Sequence, residues 1–323
     1  MDAEVQATKS LSPAHKVTAG AAVSRKLKVI QGNYDEGFGT NLEDERRLTN
    51  WALYLQDDLS VSDAVSINAG VRYDHHQTFG GTTNPRIAVI YTPTEKAALK
   101  AVYGTAFRAP SPYELYYNDG GLSTKANPRL DHEEIQTYEL IYEQYFGGRY
   151  RATAVGFHYD IDDLITQQTD PADGLLVFRN VDDVKADGVE LELEGKSEGG
   201  MEGRVSYTFQ KVVNKETGER LINSPRHLAK LNLILPLAAN RVFLGIEEQY
   251  TARRRTLAGN YTDDFFITNA TVFASNLLRG LELSASVYNL FDEKYFDPGG
   301  GEHVQDAIEQ NGRTFRVKLS YIF

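Results

Sequence analysis

At 323 residues, 41% hydrophobic and 24% charged, the chain is long enough for one large domain or two ordinary ones, and it is not compositionally disordered. A net charge of -11 disfavours nucleic acid as a partner, because phosphate binding needs clustered Lys and Arg. The absence of Cys removes disulfide and thiol chemistry; it fits a chain exported through an oxidising periplasm without proving export.

No apolar run approaches the roughly 20 residues that a membrane-spanning helix requires. The aromatic residues are mostly Tyr (19) and Phe (15), against 2 Met and 1 Trp, which tilts the chain towards strands. "DAEVQATKSLSP", after Met1, has neither the basic start nor the apolar core of a signal peptide. Residues 2–11 read as the end of a strand. Alternating segments follow near 15–31, 48–60, 63–76, 84–93, 96–106, 132–147, 149–166, 176–197, 201–213, 225–236, 240–254, 263–276, 279–291 and 311–323, about 14 or 15 strands in all. Val65, Ile67, Ala69, Val71 and Tyr73 face away from Ser66, Asn68, Arg72 and Asp74. Val189, Leu191 and Leu193 oppose Glu190, Glu192 and Glu194, and Leu281, Leu283, Ala285 and Val287 oppose Glu282, Ser284 and Ser286. In the last strand Phe315, Val317, Leu319, Tyr321 and Phe323 share one face, while Thr314, Arg316, Lys318 and Ser320 share the other.

Short turns, "SVSD", "TPTEK", "FGGR", "SEGGME", "PLAAN" and "NLLRG", alternate with long polar loops near 32–47, 76–84, 107–131, 212–224, 255–262 and 292–310. In an antiparallel meander this sends the tight turns to one rim and the long loops to the other, the asymmetry of outer-membrane barrels. A barrel strand needs only about 10 residues and keeps a polar side towards the lumen, so a mean hydropathy of -0.42 is compatible with it. The fold expected is all-β: an antiparallel transmembrane β-barrel. The competing reading is a soluble all-β protein that buries the same faces in a core, but so many long strands would then need covering.

"YLQDDLSVSD", "INAGVRYDHH", "NPRIAVIYTP", "AVYGTAFRAPSPYELY", "NPRLDHEEIQTYELIYEQYF", "FRNVDDVKADGVELELEG" and "VYNLFDEKYFDPGG", closing on Phe323, resemble in order the barrel portion of the TonB-dependent outer-membrane receptors. The resemblance covers essentially the whole chain. It implies an outer-membrane location in a Gram-negative bacterium and TonB-dependent uptake of a ferric siderophore or a similarly scarce, large nutrient such as cobalamin. It also implies that Phe315, Val317, Leu319, Tyr321 and Phe323 form a terminal signal read by the barrel-assembly machinery. Family barrels have about 22 strands around an N-terminal plug domain. Neither a plug nor an energy-coupling box is legible here, so the expectation is a C-terminal barrel portion over 1–323, partial relative to the family barrel, that would meet the TonB complex only through a plug.

Ligand contacts in such a receptor sit in the long loops and on the upper lumen wall. "FRAPSPYELYYNDGG" offers Arg108, Tyr113, Tyr116 and Tyr117, a cation with aromatic faces suited to an anionic iron-siderophore. Alternatively Arg108 is a structural corner and the tyrosines belong to the interfacial aromatic girdle. Arg253, Arg254 and Arg255 could attract the same ligand, bind lipopolysaccharide phosphates beside the membrane lipid, or stay solvated.

No metal site and no cofactor are expected. His75 and His76 are adjacent in a strand and so point to opposite faces. Asp183, Asp187, Gly188 and Glu194 stand at calcium-loop offsets, but Lys185 occupies a ligand position. The "GKS" at 195–197 precedes a turn rather than the helix a phosphate loop needs. No nucleophile elbow or paired carboxylates point to an enzyme. The rival functions are a passive porin complete at about 14 strands and, from another class, an adhesion protein or an outer-membrane hydrolase.

Overall fold

The computed structural model describes residues 1–37, 39–238, 241–275, 280–301 and 303–321. The chain runs in order through β1 (Asp2–Ser10), β2 (His15–Asp35), β3 (Gly39–Ser62), β4 (Val65–His76), β5 (Gly80–Thr94) and β6 (Ala97–Arg108). A short helix, α1 (Pro112–Tyr116), precedes β7 (Glu133–Phe146), β8 (Tyr150–Thr169), β9 (Leu176–Lys196), β10 (Glu202–Asn214) and β11 (His227–Ala238). Then come β12 (Val242–Thr251), β13 (Phe265–Ser275), β14 (Leu281–Tyr288), the small pair β15 (Phe296–Pro298) and β16 (Ala307–Glu309), and β17 (Thr314–Tyr321). Every strand of the main sheet pairs antiparallel with its chain neighbour, in a 15-stranded sheet whose edges are β1 and β17. The meander and the strand count are those expected from the alternation.

Cross-strand register carries the alternation across the sheet. Leu55 of β3, Val71 of β4 and Pro85 of β5 stand opposite one another, as do Val272 of β13, Ala285 of β14 and Val317 of β17. The apolar side chains of these rows, and those of β9, are not covered by protein: Leu55 is 51% exposed, Leu191 49% and Val317 73%. A soluble sandwich would bury them below about a tenth. On the opposite face Arg151 meets Glu194 at 2.9 Å and Lys100 meets Glu143 at 2.9 Å. That face carries these ion pairs of β6–β9, as a lumen wall can, and the opposite, apolar face is the one left for hydrocarbon. Close packing on the polar side requires Gly188, where any Cβ would collide with the Phe157 ring.

The hydrophobic cluster sits at the loop-bearing rim, where Leu115, Leu130 and Ile165 form a small core flanked by Tyr116 and Phe178. The connections there depart from the expected lengths. Residues 32–47 are mostly strand: β2 and β3 stay paired as far as Asp35 opposite Gly39, well past Ser24, where β1 ends, and Asn50, where β4 ends. The result is a hairpin that extends beyond its neighbouring strands β1 and β4, turned by Gly37 and Gly39 at φ of 93° and 101°. Its charges fall on both faces because neither face meets lipid, so it carries no alternation to read. Between β4 and β5 the connection is only residues 77–79, as tight as the turns of the other rim, so the strict alternation of short and long connections breaks there. "PLAAN" and "NLLRG" lie partly outside the described residues.

Candidate functional site: the loop-bearing rim

The segment between β6 and β7 begins at a charged corner. Arg108 donates from Nε to Glu133 at 2.6 Å and from Nη1 and Nη2 to the two carboxylate oxygens of Glu114, each at 3.0 Å. Glu133 is buried and also accepts the Ile165 amide at 2.8 Å, so the corner ties β6, β7 and β8 together. Ser111 caps α1: its hydroxyl accepts from the Glu114 amide, and Glu114 accepts in return from the Ser111 amide at 2.7 Å. Partial burial pushes the Glu114 carboxyl up, but hydrogen bonds from Arg108 and Ser111 outweigh it and hold it below its ordinary range.

From this corner the segment reaches strands far from its own. Gln31 of β2 donates to the Pro112 carbonyl at 2.8 Å, Asn33 donates to the Tyr117 hydroxyl at 2.7 Å, and the Arg46 guanidinium of β3 lies 3.3 Å above the Tyr116 ring. On the other side Thr124 bridges to Leu176, and Asn127 donates to the Phe178 carbonyl of β9 at 2.8 Å. Three strands separate β2 and β3 from β7. A single loop can touch both regions only by crossing the mouth of the curved sheet. Lys125 closes the far end on Asp170 at 2.6 Å and Asp173 at 2.7 Å. Hydrogen bonds from Lys125 and from the Ala172 amide hold the Asp170 carboxyl at about 2. Within the loop, burial pushes the Asp119 carboxyl up, but the Ser123 hydroxyl and the Thr124, Ser123 and Leu122 amides hold it at about 2.

The tyrosines are therefore loop residues above the sheet. Tyr116 is packed under Arg46 against the small core, while Tyr113, 49% exposed, packs against Tyr117 at 4.6 Å with the rings tilted by 32° and meets Phe178 edge-on at 5.8 Å. The aromatic girdle is built by other residues on the outward face, among them Trp51, Tyr73, Tyr103, Tyr138, Tyr207 and Phe266.

The three arginines have different fates. Arg254 is buried and donates to Asn223, the Phe296 carbonyl and Asp297, latching the loop after β12 onto β15. Arg255 bonds the Arg220 carbonyl at 3.1 Å and Glu219 at 2.8 Å. Arg253 is exposed, its guanidinium 5.2 Å from the Tyr261 ring, with no ion pair among the described residues. Asp306 holds the same loop from below through Asn260 at 3.0 Å and Thr256 at 2.8 Å, and those bonds keep its carboxyl low. His75 stacks on Trp51 and His76 on Phe79, on opposite faces. No cluster of three metal-ligating side chains is present among the described residues. Asp187, read at a calcium-loop offset, bonds His158 on the outward face, whereas Glu194 meets Arg151 on the other.

A family model described as TonB dependent receptor-like, beta-barrel, matches residues 3–290. The chain belongs to the TonB-dependent receptor β-barrel family. It is similar to the iron-regulated outer membrane virulence protein of Vibrio cholerae serotype O1, 26% identical over 298 residues that cover 85% of this chain and 45% of the relative. The vitamin B12 transporter BtuB of Photobacterium profundum is 28% identical over 260 residues, 78% of this chain and 40% of the relative. A ferric enterobactin receptor of Pseudomonas aeruginosa is 24% identical over 328 residues, 88% and 44%. In structure, a crystallised mutant of the Pseudomonas ferric enterobactin receptor superposes with a TM-score of 0.79 at 21% identity, over 100% of this chain and 53% of that one. The E. coli ferric-catecholate import receptor Fiu gives 0.77 at 18% identity, over 100% and 54%. The chain thus spans about half the length of the relatives it matches.

As a TonB-dependent receptor barrel the chain resides in the outer membrane of a Gram-negative bacterium, and its family is one of transport receptors. The terminal strand keeps Phe315, Val317, Leu319 and Tyr321 exposed on one face; Phe323 lies outside the described residues. Sequence reasoning missed Arg46, Glu114 and Glu133 as the residues that seat the crossing loop. The Ser111-x-x-Glu114 spacing was a readable capping signal for one of them, whereas Arg46 and Glu133 become visible only through tertiary contact.

Proposed function

We propose that this barrel serves TonB-dependent uptake of a ferric siderophore, with the crossing loop and the loop after β12 forming its outer recognition surface. The observation that carries the reading is the Tyr113 and Tyr117 pair, held over the mouth by Asn33 on one side and Phe178 on the other. Paired aromatic rings suit the flat rings of a catecholate chelate, and exposed Arg253 supplies a cation for its negative charge. Relatives named for iron regulation and for ferric enterobactin support the choice. Arg108, Tyr116, Arg254 and Arg255 then act as supports that position this surface, each already engaged by protein groups. Coupling to TonB belongs, on this reading, to the part of the relatives' length that the chain does not match.

Cobalamin is the second reading, favoured by the 28% identity to a vitamin B12 transporter. Deleting the gene that encodes this chain and following iron-55 delivered as a ferric catecholate, against cobalt-57 cobalamin, separates the two. Loss of energised iron uptake with cobalamin uptake intact is expected. The reverse pattern would reassign the ligand, and steady single-channel conductance by the protein with both uptakes intact would favour a passive pore.

A further inference from the structure

We propose that the outward face of β7–β10 holds a phosphorylated lipid of the outer leaflet, its headgroup on Lys185, Lys211 and Arg226 and one acyl chain in the furrow over Gly156. The site is built from cross-strand rows. Nearest the loop-bearing rim, Gln136, Asp160 and Lys185 stand in register; the next row is Tyr103, Tyr138, His158, Asp187 and Lys211. Below them run Ala101, Leu140, Gly156, Val189 and Phe209. Rows on one face are about 7 Å apart, so the cations lie one to two rows above the apolar floor, the depth at which a lipid changes from headgroup to chain.

The floor is a real concavity. Gly156 projects nothing between Leu140 and Val189, and a Cβ there would meet open space. The furrow has a volume of about 880 Å³ and is bounded by Ile87, Val89, Tyr138, Leu140, Val189 and Phe209. Towards the opposite rim a second apolar hollow of about 280 Å³, between Tyr142 and Leu191, continues its line. The furrow spans two cross-strand rows from β5 to β10, and the second hollow lies in the rows beyond it towards the opposite rim, so the two together offer an acyl chain an apolar path down the wall from the cations.

Charge selects the occupant. The acidic residues at the head of the furrow are already engaged: His158 bonds Asp187 at 2.6 Å and Asp160 at 3.1 Å, and Lys215 bonds Asp160 at 3.1 Å and Asp162 at 2.6 Å. Lys185 and Lys211 are exposed and have no ion pair among the described residues. Arg226 lies 5.6 Å over the Phe209 ring, which holds its guanidinium at the edge of the furrow with no carboxylate partner among the described residues. Three uncompensated cations above an apolar channel complement a phosphate on an acylated headgroup better than a zwitterionic one. The Arg253 to Arg255 run is the more obvious basic feature of the sequence, yet two of its members are latched to protein groups, so the headgroup site lies here instead.

The test uses the intact protein extracted from its outer membrane and native mass spectrometry of the lipid that co-purifies. The wild type is expected to retain a phosphorylated lipid. The K185Q/K211Q/R226Q protein should lose affinity by on the order of a hundredfold, and Gly156→Leu should lower retention with all cations present. Glu190→Gln, on the lumen face, should leave it unchanged. Heat-modifiable gel mobility reports whether each variant has folded. A second measurement needs only the wild type, in phosphatidylethanolamine nanodiscs doped with diphosphoryl lipid A or with its phosphate-free form: selective retention of the phosphorylated form is expected. Unchanged retention in the folded triple variant, equal retention of both lipid forms, or a second protein copy on this face in place of lipid would overturn the proposal.

Discussion

Arg108 lies between two carboxylates, and its Nε, Nη1 and Nη2 are all committed to Glu133 and Glu114. Removing it leaves buried Glu133 without its counter-charge and uncouples α1 from the wall. Arg108→Ala is expected to weaken seating of the crossing loop by about 1–3 kcal/mol, and Arg108→Lys to recover only part, because an ammonium lacks the planar fork that bonds each carboxylate through two N–H groups. Limited proteolysis within 117–127 reads the effect, and unchanged protection in Arg108→Ala would refute it. The neighbouring arginines of the other loop predict a split. Arg254→Gln should destabilise that loop by about 1–2 kcal/mol through the lost bonds to Asn223 and Asp297. Arg253→Gln should leave thermal unfolding unchanged and weaken ferric catecholate binding; equal behaviour of the two variants would contradict the assignment. Three consecutive arginines looked equivalent in the sequence, since local pattern carries no information about which one a distant Asp297 will capture.

At the scale of elements, the crossing loop is fastened at its far end by Lys125 on Asp170 and Asp173, and this clasp has a defined pH window. Asp170 is depressed to about 2 from an ordinary 3.8, so its contribution is complete above the ordinary value and disappears as pH falls through about 2. Lys125 is raised from 10.5, so its contribution is complete below that value and is lost on the alkaline side as pH rises past its elevated pKa. A spin label at exposed Leu122 should stay immobile between these limits and loosen below about pH 4; mobility unchanged down to pH 2 would exclude the clasp. The terminal strand makes a separate prediction. If Phe315 and Val317 are part of the assembly signal, replacing both by Ser should lower the amount of folded barrel in the outer membrane while leaving secretion to the periplasm intact.

Elements were legible where lipid imposed a rule. β4, β9, β14 and β17 meet hydrocarbon on one side and water on the other, and that physical asymmetry is what wrote the period-two pattern into their residues. It vanishes in the outer halves of β2 and β3, where Asn33, Asp35, Glu43 and Arg46 occupy a hairpin with no lipid on either face, so a strand pair read as a loop. α1 is a single turn fixed by the Ser111 cap, too short for a helical period, and β15 with β16 pairs only from Phe296 to Pro298. The ligand-facing surface was legible only as a set of residue types. Tyr113, Tyr116 and Tyr117 share a composition, and what separates the Tyr113–Tyr117 pair from the ring pinned under Arg46 is the path of the loop across the mouth.

For the whole molecule the central claim is that the convex apolar face contacts hydrocarbon and the concave polar face contacts water. Its energetic corollary is a cost of about 2–4 kcal/mol for Leu55→Arg at mid-depth and close to none for Gln56→Arg. The chain has no Cys, so single labels can be placed without background. The most direct measurement is collision accessibility of nitroxides placed one at a time from 189 to 194 and from 315 to 320, in the intact protein reconstituted in lipid. Labels at Val189, Leu191, Leu193, Phe315, Val317 and Leu319 should favour oxygen, and labels at Glu190, Glu192, Glu194, Arg316, Lys318 and Ser320 a water-soluble nickel complex, in strict alternation. Accessibility in phase at both sets, or apolar positions shielded from both reagents, would contradict the account.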